Sequence, residues 1–183
     1  MAPTESRRRF EELYTEHYAA VAAYVRRRTG RPDDTADVIA DTFTTAWRRL
    51  ADVPEGEGAR LWLYATARRT LANHHRTTLR RSALTQRLQQ ELALYADAPP
   101  DPLPQGAWEA FARLSDDDRE LLSLAGWEEL GSDDIAKVLG CSRVAARQRL
   151  HRARKRLAAE LAATDIDLSV YGRRAVSLVK EKA

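Results

Sequence analysis

The stretch SDDIAKVLGCSRVAARQRLHRARKRL, residues 132–157, decides how the rest of the chain is read. Ser132, followed by Asp133 and Asp134, reads as a helix cap. Ile135, Ala136 and Leu139 then share one face of a short helix. Gly140 can enter the left-handed conformation that stops such a helix. One residue later, Ser142 caps a longer helix. On it Ala146, Leu150, Ala153 and Leu157 recur at steps of four, three and four, an inward-facing ridge. Arg143, Arg147, His151 and Arg154 fall on an outer stripe. A short helix, a glycine-centred turn and a longer basic helix form the helix-turn-helix pattern, whose second helix presents its N-terminal turns to base edges in the major groove. Arg143 and Arg147 are therefore the leading base or phosphate contacts, with Val144 and Gln148 beside them. Arg149, Arg152, Lys155 and Arg156 are left to phosphate or solvent. A solvated basic helix in an ordinary helical hairpin would show the same periodicity. Cys141 and His151 are too few to make a metal site, and Cys141 stands where the turn takes a small apolar residue.

Charge is segregated beyond this motif. Residues 142–160 hold seven Arg or Lys against one acid, and residues 60–90 hold seven arginines and no acid. Between them, residues 116–134 are strongly acidic. The net charge is only +3, so the blocks carry the information, and two acid-free arginine blocks point to two anion-binding faces. Only four of the 30 basic residues are lysine. Arginine grips phosphate through a planar fork and stacks on bases, although a GC-rich genome also enriches it.

The N-terminal half reads as three amphipathic helices. Phe10, Leu13, Tyr14, His17, Tyr18, Val21, Tyr24 and Val25 recur at helical spacing over about residues 7–28. Gly30 and Pro32 end that helix, and Asp33 or Asp34 can cap the next. Its apolar stripe is Ala36, Ile39, Phe43, Ala46, Trp47 and Leu50, and its polar face carries Asp37, Asp41, Thr44 and Arg48. Residues 51–58, ADVPEGEG, read as a loop. A third helix starts near Ala59, with Leu61, Trp62, Tyr64, Ala65, Leu71 and Ala72 turned inward. Arg68, Arg69, Asn73, His74 and Arg76 face solvent or a ligand. Trp62 and Tyr64 read first as core and second as platforms for stacked bases.

Residues 82–95 carry Leu84, Leu88 and Leu92 at helical steps. Residues 97–106, DAPPDPLPQG, hold four prolines, which interrupt helix and favour extended chain. The domains are accordingly set at residues 7–81 and 107–163, with a linker over 82–106 and a tail over 164–183. In the second domain Trp108, Phe111 and Leu114 precede a helix capped by Ser115, with Asp116, Asp117 and Asp118 in its first turn, where the helix dipole favours acids. Strand-like alternation is absent, so the expected fold is all-α. It comprises two small helical domains joined by a proline-rich linker.

The bulk composition agrees. With 44% hydrophobic and 31% charged residues, wholesale disorder is excluded. No apolar run approaches the ~20 residues of a membrane span, and Met1 to Arg9 is polar and basic, unlike a secretory signal. A single cysteine precludes an intrachain disulfide and points to a reducing cytoplasm. There are no paired carboxylates in a pocket-like context, no nucleophile motif and no phosphate-binding glycine loop. No cofactor and no metal are expected.

The two halves together resemble a known family. ELYTEHYAAVAAYVRRR (12–28), DVIADTFTTAWRRL (37–50) and LWLYATARRTLANHHR (61–76) resemble, in order, the conserved helices of sigma domain two. Residues 113–157 resemble sigma domain four. The order and spacing, with nothing suggesting a further domain between them, are similar to the extracytoplasmic-function group of sigma-70 RNA polymerase sigma factors. That resemblance implies an alternative sigma factor without a catalytic site, acting in the cytoplasm on RNA polymerase core and promoter DNA. It implies that Asp37, Asp41, Thr44 and Arg48 contact the core, and that Val53, Pro54, Glu55, Arg68, Arg69, Asn73 and Arg76 read the minus-ten element. The loop would receive a flipped, unpaired base. Ser142, Arg143, Val144, Arg147, Gln148, His151 and Arg152 would read the minus-35 element. An anti-sigma protein that silences the factor is implied too, as is a monomeric free state. The sequence departs from the family's common residues at Ala40-Asp41, Asn73 and Val144-Ala145-Ala146. The alternatives are a conventional dimeric helix-turn-helix regulator, and an enzyme or RNA-binding adaptor built on a helical bundle.

Overall fold

Helix boundaries here are set by a few residues whose backbone preferences are strong. The computed structural model describes residues 3–81 and 105–162, with side chains over 4–76 and 106–162. It is all-α: two helical domains on one chain, with no strand among the described residues. Contacts divide the chain into two units, Met1–Pro99 and Pro100–Ala183. The leucine-bearing stretch at 82–95, the proline run up to residue 104, and the tail beyond 162 lie outside the described residues.

In the first unit, α1 (Pro3–Arg26), α2 (Pro32–Arg48) and α3 (Glu57–Arg81) pack against one another pairwise. A 3-10 turn (Leu50–Asp52) follows α2. Pro32 is the first residue of α2, not the end of α1, and Arg31 stands at the cap in extended conformation. Proline suits a first helical position because its missing N–H would have no partner there. Asp33 and Asp34 thus sit in the first turn, favourable to the dipole, and do not cap it.

The core of this unit joins Leu13, Val21, Tyr24 and Val25 of α1 to Val38, Phe43 and Ala46 of α2. Against them α3 buries Ala59, Leu63, Ala67 and Leu71, a four-residue ridge, together with Leu61, Tyr64 and Ala65 on its flank. The buried arc is wide because α3 is covered by both other helices. Leu63, which the inward set read from the sequence did not include, is fully buried, whereas Ala72, which it did include, is exposed. Tyr64 stacks on Tyr24 with ring centroids 4.9 Å apart, so it is a core residue. Ala36 is exposed on α2.

In the second unit, α4 (Gln105–Ala112), α5 (Asp116–Gly126) and α6 (Ser132–Leu139) pack around α7 (Arg143–Ala162). Ser115 caps α5, its Oγ accepting from the Asp118 amide at 3.2 Å. Gly131, not Ser132, occupies the cap position of α6. Ser132 falls one residue inside, as the first residue of the helix. Gly140 ends α6 at φ 65°, ψ 40°, and the amides of Gly140 and Cys141 both reach the Ala136 carbonyl. Ser142 then caps α7, its Oγ accepting from the Ala145 amide at 3.2 Å. Ala146, Leu150, Ala153, Leu157 and Leu161 are the buried face of α7. They meet Leu121, Leu122, Leu124 and Ile135, with Trp127 stacked on Trp108 and meeting Phe111 edge-on at one side.

Candidate nucleic-acid interface

Burial of one α7 face dictates what the other offers. Arg143, Val144, Arg147, Gln148, Arg149, His151, Arg152 and Lys155 are all exposed. Val144 is 64% exposed, an apolar side chain at the very start of the helix with no role in the core. The N-terminal two turns thus present two arginines, one apolar residue and one amide side chain. That set can contact phosphates, guanine edges, adenine edges and thymine methyls. Arg143 is held before any ligand arrives: its Nε lies 2.6 Å from Oδ1 of Asp133 on α6.

Two arginines of the same run serve the fold instead. Arg156 Nη1 donates to both oxygens of Asp118, at 2.8 and 2.9 Å, and the Asp118 side chain is only 9% exposed. This pair ties α7 to the first turn of α5, so Arg156, whose side chain is still 56% exposed, faces solvent and is engaged with the fold at the same time. Arg154 is half-buried next to the Ala153–Leu157 ridge and leaves the outer stripe.

The first unit has a second basic face. Arg69, Asn73 and Arg76 are exposed along α3, at steps of four and three, with Arg68 half-buried beside them. His74 is half-buried and its Nε2 lies 3.7 Å from Asp34 Oδ1, linking α3 to the start of α2. Ahead of α3, Pro54 and Glu55 are exposed, whereas Val53 is 3% exposed. The Val53 side chain belongs to the core and cannot touch a base. Its buried side chain anchors the loop. The loop turns at Gly56, φ 59°.

On α2, Asp37, Asp41, Thr44 and Arg48 are exposed at steps of four, three and four, a single polar stripe. Next to it lies a surface that periodicity assigned to the core. Tyr14 and Tyr18 are each 41% exposed and Trp47 is 47% exposed. With Phe10 and Phe43 they form a chain of ring contacts along the α1–α2 seam, including Phe10–Trp47 at 5.2 Å and Tyr14–Phe43 at 4.7 Å. The four-residue spacing of positions 10, 14 and 18 was visible in the sequence. Its placement half outside the core was not. Among the described residues, no group of three or more His, Cys, Asp or Glu could hold a metal ion, and no helix is long and apolar enough to cross a membrane.

Comparison with known proteins places both halves. Residues 13–81 match the family described as Sigma-70 region 2, and residues 106–157 match Sigma-70, region 4. The chain is 31% identical over 157 residues to the RNA polymerase sigma factor YlaC of Bacillus subtilis, covering 80% of this chain and 88% of that protein. It is 29% identical over 145 residues to the ECF RNA polymerase sigma factor SigF of Caulobacter vibrioides, covering 79% and 80%. Its fold is similar to that of CnrH of Cupriavidus metallidurans, solved in complex with the cytosolic domain of CnrY. There the TM-score is 0.60 at 25% identity, over 86% of this chain and 90% of that one. A dimeric regulator would share the second domain but not the region 2 match, and that reading is set aside. The chain belongs to the extracytoplasmic-function group of the sigma-70 family and is an alternative RNA polymerase sigma factor.

Proposed function

We propose that this factor gives RNA polymerase core its promoter by two DNA contacts, one from each domain, and supplies no bond chemistry itself. The domain of residues 107–163 grips duplex at the minus-35 element through α7. Ser142, Arg143, Val144, Arg147, Gln148, His151 and Arg152 are the contact set. The domain of residues 7–81 captures the melted minus-ten strand. Pro54 and Glu55 of the loop receive an extruded base, and Arg68, Arg69, Asn73 and Arg76 hold the neighbouring backbone. Unpaired bases and a basic groove suit each other, since stacking and phosphate contacts need no duplex. The 82–106 segment is the tether, and the core fixes the separation of the two contacts. Two modest affinities then act as one bivalent affinity.

The core is contacted by Asp37, Asp41, Thr44 and Arg48. The aromatic seam of Tyr14, Tyr18 and Trp47 extends this surface. An exposed apolar patch rimmed by charge is characteristic of a protein interface. CnrH is bound by the cytosolic domain of CnrY; by likeness, an anti-sigma protein would bind this chain and silence it by covering its core-contacting surface. The free chain acts in the cytoplasm as a monomer, without metal or cofactor.

The observation that carries this reading is the α7 face. The outer side of its N-terminal turns is exposed and cationic while its opposite ridge is buried in the helix-turn-helix. The test is run-off transcription from a genomic fragment library with purified polymerase core. Adding the chain gives promoter-specific starts; Arg147→Ala or Asp41→Arg abolishes them. Starts that persist in both variants would refute the assignment.

A further inference from the structure

Three consecutive arginines, Arg7 to Arg9, occupy the second turn of α1, and they have different fates. Arg7 and Arg8 are exposed and pair along their own helix, with Nε 2.9 Å from Glu11 Oε1 and 3.8 Å from Glu12 Oε1. Arg9 is half-buried and reaches off the helix: its Nη2 donates to the Val53 carbonyl at 2.7 Å, across 44 residues of sequence. Arg9 also lies ahead of the segment 13–81 that matches region 2.

The acceptor gives this bond its meaning. Val53 is pinned by its buried side chain and by its amide, which donates to the Leu50 carbonyl at 3.3 Å. Pro54 and Glu55 are displayed to solvent immediately after it. Gly56 turns at φ 59°, and its carbonyl accepts from the Ala59 amide at 3.0 Å, joining the loop to α3. A Cβ on Gly58 would lie 2.9 Å from the Pro54 Cβ, so the proline sits directly on the first turn of α3. The loop is therefore held from α1, from the core and from α3, while two residues face outward.

We infer that Arg9 is a positioning residue for strand capture: it holds loop 53–56 in the conformation that receives the extruded base. The inference rests on the minus-ten role proposed above for that loop. A loop that orders only on binding gives up affinity to lost conformational freedom, and a loop ordered beforehand does not. A charge-assisted bond to a backbone carbonyl is a strong way to order it. Arginine is well suited, since its fork stays charged and loses little freedom per bond.

The test uses polymerase core reconstituted with the full chain. The probe is a single-stranded oligonucleotide from the minus-ten region of a promoter mapped by run-off transcription, with a copy carrying an abasic site at the extruded position. The unaltered chain prefers the intact oligonucleotide. Arg9→Ala lowers affinity for the intact strand about tenfold and leaves the abasic strand unchanged, so the preference collapses. Arg9→Lys keeps a donor and recovers part of it, and Arg7→Ala changes nothing. If Arg9→Ala retains the full preference, the inference is wrong. It is equally wrong if both oligonucleotides and core binding weaken together, which is the signature of lost folding. If the unaltered chain shows no preference, the loop's proposed role fails first and takes the inference with it.

Discussion

Arg143 enters the proposed DNA-binding face already paired with Asp133, both side chains being more than half exposed. An exposed pair of this kind contributes only about 0–1 kcal/mol, so a phosphate or a guanine can displace it. Asp133 then competes with DNA for the guanidinium and restrains binding to indifferent sequence. Asp133→Asn is expected to tighten non-specific duplex binding about two- to fivefold. It should also steepen the log–log salt slope by up to ~0.9, one phosphate contact. Fluorescence anisotropy across a salt series measures both, and in an Arg143→Ala background the effect vanishes. Arg156 makes the opposite case. Arg156→Ala strands a mostly buried Asp118 carboxylate and is expected to cost about 1–3 kcal/mol in urea unfolding. Lys155→Ala leaves stability unchanged. The arginine run announced charge, but not which arginine is left outward and which is tied into the fold. The partner that decides it lies 38 residues away.

Among the elements, the turn between α6 and α7 sets the angle of the helix proposed to read the minus-35 element. Gly140 at φ 65° has nothing within 4 Å of a built Cβ, so Gly140→Ala tests backbone conformation alone. It should destabilise the second domain by about 1–2 kcal/mol with an unchanged urea m-value. This turn and the α7 ridge were legible because glycine and period act locally. The phase of α3 was not, since a helix covered on two sides buries residues all around a wide arc and no single stripe stands out. Helix starts misled at Ser132 and Asp33, where one residue separates a cap from a first turn. Glu129, at φ 57°, ends the α5 region in a conformation no sequence rule assigns to glutamate. Val53 is the loop residue its turn-forming neighbours suggested, but its burial was not legible, because the core reaches past α2 to cover it.

At the scale of the whole chain, the proline run separated two charge systems, and the two family matches fall on either side of it. The all-α class and the order of the two domains followed from periodicity and composition. The aromatic seam did not, because spacing shows that Phe10, Tyr14 and Tyr18 share a face without showing how far the neighbouring helix covers it. A factor that works by two tethered contacts should bind promoter far more tightly with core than alone. That promoter affinity should also fall steeply with salt, in proportion to the phosphates engaged. Gel-shift titration with and without core, at several salt concentrations, checks this, and flat salt dependence would contradict phosphate contact.

Everything in this account requires the chain to seat on the transcribing enzyme through the exposed face of α2. The direct measurement is sedimentation velocity of the full chain mixed with purified polymerase core. The expected result is a one-to-one complex that is lost with Asp41→Arg and kept with Arg147→Ala. A chain that sediments apart from the core, or a complex indifferent to Asp41, would contradict it.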